Sequence, residues 1–133
     1  MQQNKWLLPI MNNAPIDEKQ LEKYQTRMNK TLDQIETIWL VNGKKNYLCG
    51  DKISVADIAA VCELEQPLMA GLDVRTNRPL LTSYMKRIQN ELSPHYDDVH
   101  EKVYAVRDKF KGKIPESPQD FASVMGKKFD NKD

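Results

Sequence analysis

Apolar positions along this chain recur at helical spacing almost throughout. Between residues 18 and 41, Leu21, Tyr24, Met28, Leu32, Ile35, Ile38 and Trp39 form one stripe. Glu22, Lys23, Arg27, Lys30, Asp33 and Glu36 form the opposite face. That pattern predicts a long amphipathic helix with Trp39 buried at its end. Asp17 and Gln20 supply a capping box at its start. A second helix, about 55–66, is apolar around most of its girth, from Val55 to Leu64, and is expected at the centre of the core. Pro67 ends it. Pro79 suits the first turn of a third helix, 79–92, with Leu80, Leu81, Tyr84, Ile88 and Leu92 inward. Ser93-Pro94 starts a fourth, to about 110, with Tyr96, Val99, Val103, Val106 and Phe110 on one face.

The two ends read differently. Trp6, Leu7, Ile10 and Met11 share a face at i, i+1, i+4 and i+5, as in the last turns of a helix. Nothing in Met1-Gln2-Gln3-Asn4-Lys5 resembles a start signal, so this first helix reads as cut short. Asn12 to Pro15 form a break. After Lys111 the composition turns polar, with Gly112, Pro115 and Pro118, and a short helix is expected only over 118–125. The division is therefore a helical domain over 1–110 and a polar tail over 111–133.

The best-specified local feature is Ser54-Val55-Ala56-Asp57-Ile58. Ser54 is the expected N-cap, and the Asp57 carboxylate returns a bond to the Ser54 N–H. Ile53 and Ile58 complete a hydrophobic staple. Asp57 in this setting is a structural carboxylate, not a catalytic one.

Composition narrows the function classes. The 133 residues are 40% hydrophobic and 29% charged, enough apolar content for one packed core. Twenty Lys+Arg against 19 Asp+Glu leave a formal charge of +1, which excludes nucleic-acid binding by bulk electrostatics. No apolar run is long enough to span a membrane. Two cysteines and no signal-peptide pattern point to a reduced, cytoplasmic setting.

Catalytic signatures are missing: no phosphate-binding glycine loop, HExxH, GxSxG or CxxC occurs. His95 and His100, five apart, do not share a helix face and read as solvated. Cys49, near Lys44, Lys45 and Lys52, is taken as an ordinary loop thiol, and Cys62 as core packing. Glu63 with Glu65, and Asp97 with Asp98, are expected on exposed helix faces. No metal site is expected.

Several segments resemble one family. Gly50-Asp51-Lys52-Ile53-Ser54-Val55-Ala56-Asp57-Ile58 resembles the capping-box region of the helical C-terminal domain of glutathione transferases. Tyr47-Leu48-Cys49-Gly50 resembles the approach to it. Glu63-Leu64-Glu65-Gln66-Pro67 with Ala70-Gly71, and Arg78-Pro79 with Leu81 and Tyr84, resemble the following segments of the theta class. Pro9 and the stretch from Pro15 to Leu21 are similar to its first connection. The resemblance covers about residues 5–110. It implies an all-α, orthogonal bundle of four to five main helices, without the thioredoxin-like domain that binds glutathione in such enzymes.

The resemblance also implies a role. This half of the enzyme would form the wall of the pocket for a hydrophobic, electrophilic co-substrate, with Trp6, Leu7, Ile10, Met11 and Gln66 as substrate-binding candidates. Phe121 and Met125 stand where a lid would come, although the tail does not match that lid's pattern. Glutathione would be co-substrate of the parent enzyme, with no cofactor held by this chain. A homodimer would require an intact thioredoxin-like domain, and the chain alone is expected to be inactive. The alternative is a non-catalytic protein–protein interaction module of the same helical type, as found in elongation-factor and aminoacyl-tRNA synthetase subunits.

Overall fold

The computed structural model describes Asn12 and residues 18–110. The expectations for 1–11, 13–17 and 111–133 fall outside the described residues. Four α-helices make up the described part, with no sheet among those residues: α1 (Glu18–Gln34), α2 (Val55–Glu65), α3 (Pro79–Glu91) and α4 (His95–Phe110).

Helix α1 follows its stripe, with Leu32 buried and Met28 packed against the core. At Ile35 the helix widens into a π-helical turn, Ile35–Trp39, in which the Leu40 N–H reaches back five residues to the Ile35 carbonyl at 2.9 Å. A π turn holds more than 3.6 residues, so every later side chain lags behind its α-helical angle. This corrects the expectation for Trp39. Ile38 and Trp39 are 63% and 53% exposed, and Leu40, at 2%, takes the inward position.

Three successive left-handed residues then turn the chain: Val41 (φ 48°), Asn42 (φ 54°) and Gly43 (φ 84°). Glycine is favoured at the last of these, where the φ is largest. A Cβ there would lie 2.9 Å from Leu80 Cδ2 in addition to the φ penalty. The turn is held by the Asn42 N–H donating to the Glu36 carbonyl (2.8 Å) and the Lys45 N–H to the Leu40 carbonyl (3.1 Å). A second tight turn, closed by a single bridge between Tyr47 and Gly50, inserts Tyr47 and Leu48 into the core.

Helix α2 is buried on one face only. Asp57, Val61, Leu64 and Glu65 face inward, whereas Val55 is 81% and Ile58 40% exposed. The expected all-round burial is therefore corrected: two carboxylates take places on the inner face and the purely apolar stripe faces out. A 3-10 segment, Gln66–Ala70, continues the chain to Gly71, whose φ of 75° ends it. Helix α4 lies along this segment and against α2, and α2 also packs on α3.

Helix α3 contributes Leu81, Tyr84, Met85 and Ile88 to the core, each at most 1% exposed, while Leu80 is turned partly outward. Its start is fixed from a distance. Arg78 donates to Glu36 Oε2 at 2.8 Å and pairs with Asp33 at 2.8 Å, and Glu36 Oε1 accepts the Leu81 N–H at 3.1 Å. A carboxylate from the α1 side thus satisfies one of the orphan donors of α3. In α4 the inward row is Tyr96 and His100, with Tyr104 following half-buried. Val99, expected inside, is 67% exposed.

Candidate functional site

Two buried carboxylates, at opposite ends of α2, dominate the polar interior. At the N-terminal end Ser54 and Asp57 make a capping box. Asp57 Oδ2 accepts the Ser54 N–H at 2.9 Å and the Ser54 hydroxyl at 2.8 Å. Oδ1 accepts the Leu48 N–H at 2.8 Å and the Tyr84 hydroxyl at 2.9 Å. One side chain therefore ties the helix start, the Tyr47–Gly50 turn and α3 together. Burial pushes this carboxyl up, but the donors from Leu48, Ser54 and Tyr84 outweigh it and hold Asp57 below the ordinary aspartate range. The Tyr84 phenol moves upward, through burial first and then its bond to Asp57. With its lone pairs occupied by four donors, Asp57 has no proton-transfer position left for a substrate. Ile53 packs against the core, and Ile58 stands on the outer face of α2.

At the C-terminal end sits Glu65, 1% exposed. Sequence reasoning placed it on a solvated face, and the structure overturns that. Arg75 grips it bidentately, Nη1 to Oε1 at 2.7 Å and Nη2 to Oε2 at 3.1 Å, while the Tyr96 hydroxyl donates to Oε1 at 2.7 Å. Arg75 is itself steadied by Asp73 at 2.9 Å. Burial lowers the Arg75 guanidinium, but the bonds and charges of Glu65 and Asp73 raise it further, and it stays ionised. Tyr96 is pushed up by burial and by its bond to Glu65.

His100 is the second correction, being 4% exposed where a solvated ring was expected. Its Nδ1 lies 2.7 Å from the Tyr96 carbonyl, one helical turn back, so Nδ1 carries the proton. Its ring is 4.4 Å from that of Tyr96 and 6.2 Å from that of Tyr104, and Nε2 is buried without a hydrogen-bond partner. His95 is exposed. The only hint in the sequence was the i, i+4, i+8 spacing of Tyr96, His100 and Tyr104.

Of the substrate-binding candidates, Trp6, Leu7, Ile10 and Met11 lie outside the described residues. Gln66 is half-buried at the head of the 3-10 segment, next to Glu65, and its amide donates to Glu63 Oε1 at 3.4 Å. Gln66 is thus the one member of the candidate set that lies among the described residues. Cys49 is exposed and Cys62 half-buried, both as free thiols. Among the described residues no cluster of His, Cys, Asp and Glu could hold a metal ion, and no helix is long and apolar enough to cross a membrane.

Comparison with known proteins now places the arrangement. A sequence model of the glutathione S-transferase C-terminal domain matches residues 3–91. The chain is 27% identical over 105 residues to chicken glutathione S-transferase theta-1, covering 78% of this chain and 40% of that protein. Against mouse glutathione S-transferase theta-3 it is 29% identical over 105 residues, covering 78% and 43%. Against Arabidopsis glutathione S-transferase T2 it is 31% identical over 113 residues, covering 80% and 19%. The chain thus spans about two-fifths of the animal theta enzymes it matches. No solved structure matches it. The match over most of the chain, on an all-α bundle whose central helix opens with the Ser54–Asp57 box, shows that the chain belongs to the glutathione S-transferase C-terminal domain family, with theta-like relatives.

Proposed function

We propose that this chain is the helical half of a theta-like glutathione transferase. It supplies the wall of the pocket for a hydrophobic electrophile, through Trp6, Leu7, Ile10, Met11 and Gln66. The thiolate chemistry belongs to a separate thioredoxin-like domain that binds glutathione. The observation that carries this reading is the family match over residues 3–91, at about two-fifths of the length of relatives named as glutathione S-transferases. The interior agrees with it: both deeply buried carboxylates are occupied in holding the bundle together, Asp57 by four donors and Glu65 by Arg75 and Tyr96.

The test is an electrophile-conjugation assay with the purified 133-residue chain and glutathione, with and without an added thioredoxin-like domain from a theta-class enzyme. No turnover by the chain alone is expected. Turnover by the chain alone would overturn the division of labour. A cytoplasmic setting and a homodimer formed with an intact thioredoxin-like domain belong to the same reading.

A second reading is a non-catalytic interaction module. The exposed neighbours Ile38 and Trp39, at the end of the π turn, favour it. Loss of a stable protein complex on substitution of Trp39 by Ser would support that reading. Quenching of Trp6 fluorescence by hydrophobic electrophiles would support the pocket.

A further inference from the structure

The turn that follows α1 makes a projecting tip. Thr37, Ile38, Trp39 and all of residues 42–46 are exposed, whereas Leu40 is buried. The π turn sets this phase, handing the inward position to Leu40 and leaving Ile38 63% and Trp39 53% exposed. Leu80, 37% exposed, borders the tip, since its Cδ2 lies against Gly43. Large apolar side chains therefore meet water at one corner of the bundle.

The charge of this corner is one-sided. Between residues 37 and 46 the chain carries Lys44 and Lys45 and no acidic residue. The Lys44 N–H donates to the Val41 carbonyl at 3.2 Å and the Lys45 N–H to the Leu40 carbonyl at 3.1 Å, which holds both lysines at the tip. Both are exposed, and neither ammonium has a partner among the described residues. The carboxylates that precede the tip, Asp33 and Glu36, are both taken by Arg78, at 2.8 Å each. A third cation, Arg87, stands at the foot of the turn, its Nη1 donating to the Asn46 carbonyl at 2.8 Å.

We propose that this tip makes a peripheral contact with an anionic lipid surface. Three features select that occupant. An indole with aliphatic neighbours is favoured at the boundary between headgroups and acyl chains, where one side is apolar and the other wet. Ammonium groups beside it match a layer of lipid anions, and each strengthens the contact about fivefold. The tip also projects, because three successive left-handed residues, Val41, Asn42 and Gly43, reverse the chain there. A projecting corner fits a flat, deformable surface, whereas a peptide segment needs a groove or a sheet edge to lie in. The contact is shallow and reversible, and it does not rest on the proposed transferase role.

The test is co-sedimentation of the full chain with two kinds of vesicle, phosphatidylcholine alone and phosphatidylcholine with about one-third phosphatidylserine. Binding to the anionic vesicles is expected to be at least about tenfold stronger and to weaken with salt. Lys44→Gln/Lys45→Gln should weaken it about twentyfold. Lys30→Gln/Lys102→Gln, the same charge change at exposed positions off the tip, should leave it within about threefold. With Trp6→Phe, Trp39 is the only tryptophan, and its emission should move to shorter wavelength on the anionic vesicles. Thermal melts confirm that each variant folds.

Equal binding to both vesicles, equal loss from the two lysine pairs, or an unmoved Trp39 emission would each overturn the proposal. Binding to polyglutamate as tight as to the anionic vesicles would overturn it in favour of an acidic polypeptide. Dimerisation abolished by Trp39→Ser, with no vesicle binding, would assign the tip to a second copy instead.

Discussion

The two ends of α2 each bury a carboxylate, and they stabilise it by opposite means. Asp57, at the N-terminal end, has no cation against it among the described residues; its donors are two backbone N–H groups and two hydroxyls. Glu65, at the C-terminal end, has a guanidinium and a phenol. The helix itself explains the difference. Its aligned peptide dipoles place partial positive charge at the N-terminus, where an anion is favoured, and partial negative charge at the C-terminus, where an anion is repelled. A buried carboxylate needs only neutral donors at the first end and a full countercharge at the second.

That contrast can be broken at its charged end first. Arg75→Met should cost the most, about 3–5 kcal/mol, because it leaves Glu65 buried without its partner. The double variant Arg75→Met/Glu65→Met should recover much of that loss, and urea melts of the cycle measure the coupling. If the double variant is as unstable as the single, the pair is not the unit described here.

Asp57→Asn comes next, at about 2–3 kcal/mol, since an amide nitrogen must now face donors that a carboxylate accepted. The pH dependence separates the two ends further. The Asp57 pKa is depressed by folding, so its contribution is present above the unfolded value near 4 and is lost as pH falls through the folded value. Thermal melts between pH 7 and pH 3 should therefore show a steeper acid loss in the wild type than in Asp57→Asn.

The phenols give a smaller, matched pair. Tyr84→Phe and Tyr96→Phe each remove one hydrogen bond to a buried carboxylate and should cost about 1–3 kcal/mol. Both phenols are raised by folding, so their stabilisation holds below the unfolded value near 10 and is lost as pH rises through the folded one. Each Phe variant should lose less stability than the wild type in melts above pH 10. Smallest of all, Val99→Lys on the exposed side of α4 should change stability by no more than about 0.5 kcal/mol. A large loss there would mean that Val99 is covered by another part of the protein.

The same contrast governs what the sequence could reveal. Asp57 was legible because its cap partner Ser54 is three residues away and the motif is local. Glu65 was not, because Arg75 and Tyr96 lie 10 and 31 residues on and meet it only through the fold. Helix existence followed from spacing, and the family followed from short motifs in order. Facing did not always follow. The π turn at Ile35–Trp39 changed the phase of the last residues of the first helical stretch, and no residue type announces it. His100 and Val99 exchanged places because the row through Tyr96 and Tyr104 set the inward side of α4, against the apolar pattern. Of the candidate substrate-binding set, only Gln66 lies among the described residues, and its neighbour Glu65 is the more deeply built of the two.

The bond from the Leu48 N–H to Asp57 Oδ1 has a kinetic consequence. Leu48 lies in a turn, where amide protons ordinarily exchange with solvent through small local openings. This amide is released only when the carboxylate that also holds the start of α2 and the Tyr84 hydroxyl lets go. Its deuterium uptake should follow that of the helical core, making a loop proton a clock for the opening of the whole bundle.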